Sequence, residues 1–170
     1  MTKLTVNSEL KKVLSHHNID VKDYVPAYNG ESAGLDLFNT SDQDIVIYPC
    51  NYESSSITVS EDKLNKCLIP TGIRVLIPKG YVGLIQERGS IVKSTLKVRA
   101  GVIDSGYTGE IFVNCVNIGS SVATISKQSK LPFQLVVVKC DNEFEVINED
   151  EYLNLSQASK RKDGMVGSSD

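Results

Sequence analysis

Two hydrophobic rhythms divide the chain. Near the start, Leu10, Val13 and Leu14 recur at the three- and four-residue spacing that lines up one face of a helix. Ser8 can cap its start and the pattern fades by Asn18, Ile19 and Asp20, so a helix is expected within residues 2–22. His16 and His17 fall at its end, where positive charge is favourable, and read as surface residues. From Tyr24 onward the texture changes to short runs of Val and Ile punctuated by Gly, Pro and Asn. Residues 45–48 (IVIY), 73–77 (IRVLI), 81–85 (YVGLI), 110–118 (EIFVNCVNI) and 133–139 (FQLVVVK) read as strands, with Pro78-Lys79-Gly80 as a turn between two of them. Many short strands with one helix at most predict an all-β sandwich or jelly-roll barrel, with no second domain and no internal repeat.

Two stretches escape both rhythms. Residues 50–66 are polar, with Ser54, Ser55 and Ser56 among mixed charges, and read as an inserted loop with room for a hairpin or short helix of its own. Residues 148–170 turn acidic, then basic, then rich in Gly and Ser, the composition of a flexible arm. The expected organisation is a helical segment at 1–23, a β domain at 24–147 carrying the loop, and an arm at 148–170.

Composition narrows the function classes. At 170 residues and 18.6 kDa the chain suits one domain with a substantial core. Lys and Arg number 18 against 21 Asp and Glu, which argues against nucleic-acid binding by a basic face, although a small basic cluster can still hold a phosphate. No apolar run reaches membrane-spanning length and the start, MTKLTVNSELKK, lacks the apolar core of a signal peptide. A soluble protein of the cytoplasm is expected, or of the host cytoplasm if its source is a virus or phage. Cys50, Cys67, Cys115 and Cys140 form no CxxC pair, and the histidines lie apart from them, so zinc is not expected and all four thiols read as free.

The candidate chemistry lies at 100–110, AGVIDSGYTGE. Val102, Ile103 and Ile111 flank a single carboxylate, Asp104, and Ser105-Gly106 is a turn dipeptide, giving strand, tight turn, strand. A carboxylate leaving an apolar strand just before a turn is held by rigid backbone, as a general base must be. Tyr107 lies across the turn, where its ring can face the same pocket. The same pattern also fits a turn whose Asp only hydrogen-bonds its own backbone.

This stretch is similar to the third signature motif of the trimeric dUTPase family, and candidates for the family's other four motifs follow in order between 33 and 169. AGLDL at 33–37 resembles the first, which implies that Asp36 organises a magnesium ion through water. Glu87-Arg88-Gly89-Ser90 resembles the second, with serine and glycine interchanged and a short link to Asp104, and implies that Arg88, Gly89 and Ser90 approach phosphate oxygens. The run from Lys130 to Val136 resembles the fourth, with Gln134 donating to a phosphate. Pro132 departs from the usual residue there and implies an edge or a bulge. RKDGMVGSS at 161–169 resembles the fifth: Arg161 would clamp the γ-phosphate, and the backbone around Gly167 and Ser168 would wrap the triphosphate. Val166 stands where an aromatic residue normally covers uracil, a loss worth roughly 1 kcal/mol or more, so weaker binding is expected rather than inactivity.

The resemblance implies a distorted jelly-roll of the β-clip type. It implies a hydrolase that converts dUTP to dUMP and pyrophosphate, keeping uracil out of DNA and supplying dUMP. Asp104 would orient a water for in-line attack on the α-phosphorus, with Mg2+ spreading the triphosphate charge. Tyr107 would pack against the deoxyribose and exclude a 2′-hydroxyl. A hairpin at 96–101, with Val98, Gly101, Val102 and Ile103, would read uracil through backbone groups. It also implies a homotrimer with shared active sites, the arm of one subunit covering a site made by the other two, and neither nucleic acid nor membrane as partner. Two readings compete. In the related dCTP deaminases a catalytic glutamate follows this motif, and Asn114 stands at that position here, where it cannot serve as acid or base. A non-catalytic protein that senses dUTP or docks a regulatory partner would need none of Asp36, Asp104, Tyr107 and Arg161.

Overall fold

The computed structural model describes residues 1–26, 31–49, 68–141 and 143–156. The expected loop at 50–66 lies outside them, as do Cys50 and Cys67. Ten strands and two α-helices are described. Strand β1 (Lys3–Val6) leads into α1 (Ser8–His16). Then come β2 (Gly34–Phe38), β3 (Ile45–Ile47), β4 (Leu68–Leu76), β5 (Tyr81–Glu87), β6 (Leu96–Arg99) and β7 (Val102–Ile103). The order closes with β8 (Glu110–Asn117), β9 (Ala123–Ile125), β10 (Lys130–Lys139) and α2 (Glu149–Ser156). No helix among the described residues is long and apolar enough to cross a membrane.

The strands build two antiparallel sheets of four, ordered β1-β4-β8-β6 and β2-β10-β5-β7, with β3 and β9 forming a separate ribbon. This is the all-β, jelly-roll-like architecture expected from the pattern. Period-two alternation assigns the faces. On β8, Ile111, Val113, Cys115 and Asn117 point inward while Phe112 points out; on β10, Leu131, Phe133 and Leu135 point inward. These side chains meet those of β2, β4 and β5 in one core, on which Leu10, Val13 and Leu14 of α1 also rest. Asn117 is wholly buried yet satisfied. Its Oδ1 accepts from the Thr95 hydroxyl at 2.6 Å, and its Nδ2 donates to the carbonyls of Ile47 and Ser121 at 3.0 and 2.8 Å, fastening the ribbon to the sheet. Of the thiols, Cys115 is buried and Cys140 is half-buried.

Several local expectations change. The segment expected to be helical at 1–23 opens with a strand, which pairs along β4 from Lys3↔Leu76 to Val6↔Ile73. The helix cap is Asn7, not Ser8: its side chain accepts from the Leu10 N–H at 2.8 Å, and its own N–H donates to the Gly72 carbonyl at 2.8 Å. Part of the arm at 148–170 is helix α2, which buries no residue. Residues 96–101 are not a paired hairpin. β6 pairs with β8 and β7 with β5, so the chain crosses between sheets at Ala100, whose φ is 49°.

Gly72 marks a bulge in β4, at φ +70°, and a Cβ there would stand 2.5 Å from Asn7 Oδ1 and 2.7 Å from Leu10 Cβ. Gly72→Ala therefore combines a left-handed backbone with a clash against the helix cap. Chemical denaturation should show a loss of about 2–4 kcal/mol; a loss below ~1 kcal/mol would mean that the cap yields freely.

Candidate active site

The residues singled out in the sequence fall into two groups. The first forms where β2, β10 and β5 lie side by side, with Gln134 opposite Asp36 on one flank and Gln86 on the other. The Asp36 carboxylate receives two cations: Arg88 Nε stands 2.5 Å from Oδ1 and Lys130 Nζ 2.5 Å from Oδ2. Arg88 is fixed further by its N–H to the Pro132 carbonyl at 2.9 Å and by Nη1 to the Leu131 carbonyl at 3.2 Å. Beneath the cluster, the buried Tyr24 donates its hydroxyl to the Asp36 carbonyl at 2.6 Å; burial, with the Asp36 charge adding to it, pushes this phenol well above its ordinary range. Gln134 donates to the Glu87 carbonyl at 3.2 Å. Gly89 and Ser90 are exposed and open a 3-10 turn (Gly89–Lys93) beside Arg88.

The bulge anticipated at Pro132 is present. Three residues of β10 lie between the pairs Lys130↔Phe38 and Gln134↔Asp36, opposite the single residue Leu37 of β2. β10 is an interior strand, so the proline is accommodated by the bulge rather than by a sheet edge.

The second group surrounds Asp104, which follows β7 and enters a turn closed by the Tyr107 N–H on the Asp104 carbonyl at 3.1 Å. Asp104 is exposed, and among the described residues its carboxylate has no hydrogen-bond or ion-pair partner. A cleft of about 280 Å³ is lined by Val102, Ile103, Asp104, Tyr107, Glu110 and Phe112, with Leu68 and Ile111. Tyr107 folds back so that its hydroxyl donates to the Glu110 carbonyl at 2.8 Å. Gly109 makes that possible, since a Cβ there would stand 2.5 Å from the Tyr107 hydroxyl oxygen. Val98 is half-buried against the core, and the Gly101 carbonyl accepts from the Ile85 N–H at 2.7 Å.

Strand register keeps the two groups apart. Val102 and Ile103 pair with Leu84 and Gly83, so the chain at Asp104 heads toward Val82, whereas Arg88 lies beyond the opposite end of β5. Six residues of strand separate those levels, about 20 Å. A general base works within ~3 Å of its water, so one chain does not bring Asp104 to the cations around Asp36. Arg161, Val166, Gly167 and Ser168 lie outside the described residues.

Sequence reading named Lys130 only as the basic start of a motif and did not single out the supporting roles of Tyr24 and Glu110. Their roles arise from contacts with Asp36, Tyr107 and Gly72, whose N–H donates to Glu110 Oε1 at 3.0 Å.

Magnesium takes six oxygens and keeps several waters. Among the described residues no three carboxylate, His or Cys side chains converge, and both Asp36 oxygens already face cations. This donor set does not hold a bare ion; it fits one carried on triphosphate oxygens, whose waters could donate to Asp36.

Comparison with known proteins assigns the class. The dUTPase family profile matches residues 21–170, and the chain belongs to that family. It is 34% identical over 125 residues to the deoxyuridine 5'-triphosphate nucleotidohydrolase of Finegoldia magna, covering 69% of this chain and 77% of that one. A match to the Pol polyprotein of equine infectious anemia virus, 32% identical over 106 residues, takes in 62% of this chain but spans only 9% of the polyprotein. The fold is similar to that of the Staphylococcus bacteriophage 80alpha dUTPase solved with dUpNHpp, at a TM-score of 0.64, 20% identity, and coverage of 100% of this chain and 98% of that one.

Proposed function

We propose that this chain hydrolyses dUTP to dUMP and pyrophosphate in the cytoplasm. The observation that carries the reading is Asp104: an exposed carboxylate without a partner among the described residues, held by a closed turn at the edge of a cleft beside Tyr107. Asp104 accepts a proton as water forms its bond to the α-phosphorus, and the bond from that phosphorus to the bridging oxygen of pyrophosphate breaks in line. Tyr107, braced by Glu110, walls the sugar pocket. Arg88 and Gln134, with the turn at Gly89 and Ser90, bind the phosphates, and Asp36 orders the waters of the accompanying Mg2+. The ion, when bound, neutralises charge on the triphosphate.

The separation of Asp104 from Arg88 supports a site built from more than one chain, a homotrimer with three shared sites. Arg161, Val166, Gly167 and Ser168, on the arm of a third subunit, would close over the nucleotide. Pyrophosphate release with Mg2+ from dUTP, dCTP, dTTP and UTP tests the reaction. Selective cleavage of dUTP to dUMP is expected. Binding of dUTP without turnover would favour a sensor, and ammonia from dCTP would indicate a deaminase despite Asn114.

A further inference from the structure

The cluster on Asp36 carries one more positive charge than negative, and its two cations are not equivalent. Arg88 is tied to three acceptors, the Asp36 carboxylate and the carbonyls of Leu131 and Pro132. The Lys130 ammonium has Asp36 as its only hydrogen-bond or ion-pair partner among the described residues, and stands 6.0 Å from the centre of the Phe38 ring. Its side chain is 40% exposed, against 26% for Arg88 and 20% for Asp36. An ammonium on a flexible four-carbon stem can change acceptor without moving the backbone; a guanidinium held at both Nε and Nη1, on a backbone itself tied to the Pro132 carbonyl, is far more constrained.

The position of Lys130 is a product of the β10 bulge. Regular antiparallel pairing from Gln134↔Asp36 would set Pro132 opposite Phe38; the two extra residues set Lys130 there instead, next to the carboxylate. We infer that Lys130 is an exchangeable counter-ion that also binds substrate. In the free protein it neutralises Asp36. When a polyphosphate arrives, its ammonium transfers to a phosphate oxygen and Asp36 Oδ2 is released to accept hydrogen bonds from water. Asp36 thus holds the place of the incoming anion, keeping a lysine oriented that would otherwise be solvated and mobile. This deepens the reading of the site given above and rests on it.

The test is calorimetric titration of the full-length protein with inorganic triphosphate in EDTA, so that neither metal nor turnover contributes, with thermal unfolding as a check on each variant. Lys130→Met should weaken binding roughly tenfold or more, the loss of a charge-assisted contact. Lys130→Arg should restore it to within about threefold, because the charge and donors are retained. Asp36→Asn should tighten metal-free binding, because the competing carboxylate is gone. A static structural pair predicts otherwise: Lys130→Met binds normally and Asp36→Asn binds no better, and that result overturns the inference, as does an unmodified protein that fails to bind triphosphate. The two proposals fail separately. A protein showing these shifts but not cleaving dUTP retains the exchange and loses the hydrolysis. One that cleaves dUTP with Lys130→Met unchanged in KM and triphosphate affinity retains the hydrolysis and loses the exchange.

Discussion

Asp104→Asn should leave dUTP bound with near-normal affinity while kcat falls by roughly 10²–10⁴-fold. Asparagine has almost the same shape and preserves the turn, because the bond that closes it uses the Asp104 backbone carbonyl rather than the side chain. The Tyr107 ring is held by the Glu110 carbonyl and is equally untouched. What disappears is the ability to accept a proton from water at neutral pH, a property that raises the rate without contributing to ground-state binding. Calorimetry for affinity and single-turnover quench-flow for the chemical step separate the two. A variant retaining more than about a tenth of the rate would place the base elsewhere.

The second large effect concerns the division of the site between chains. Arg88→Ala should also be nearly inactive, since it removes a cation proposed to bind phosphate and leaves Asp36 with Lys130 as its one remaining counter-ion among the described residues. Each variant, Asp104→Asn or Arg88→Ala, should lose at least about a hundredfold in activity when pure. Mixed in equal amounts and refolded together, they should recover activity. A site drawing Asp104 from one subunit and Arg88 from its neighbour is intact wherever the two unmodified residues meet, roughly a quarter of sites on random assembly. Sites contained within single chains recover nothing, because every chain carries one lesion. Light scattering on the same mixtures establishes that assembly has occurred. The expectation follows from register alone, since β5 separates the levels of Asp104 and Arg88.

Much of this protein could be read before its structure. The strands with strong alternation, β5, β8 and β10, and the apolar stripe of α1 were evident, because burial of one face leaves a period in the sequence. Elements that bury nothing left no such trace. β1 is almost entirely exposed and exists because β4 offers it an edge; α2 has no buried side, and its composition resembles a loop. The run of Arg99, Ala100 and Gly101 looks like a hairpin turn, but β8 and β5 compete for the strands on either side and draw them into different sheets. Asn7 displaced Ser8 as cap because its backbone is anchored to Gly72, far away in sequence.

The sequence by itself determined the all-β class, the chemical identity of the candidate base in its apolar strand, and the order of the motifs. These are properties of local composition and period, which a linear chain carries without folding. Only the tertiary structure decided that Asp36 is held between Arg88 and Lys130, that Tyr107 is braced by Glu110, and that Asp104 stands apart from the cations it would work with. Each of those depends on strand register or on a bulge. A shift of one residue turns every side chain to the other face of the sheet, and register is settled by the packing of the whole core rather than by the residues that bear the chemistry.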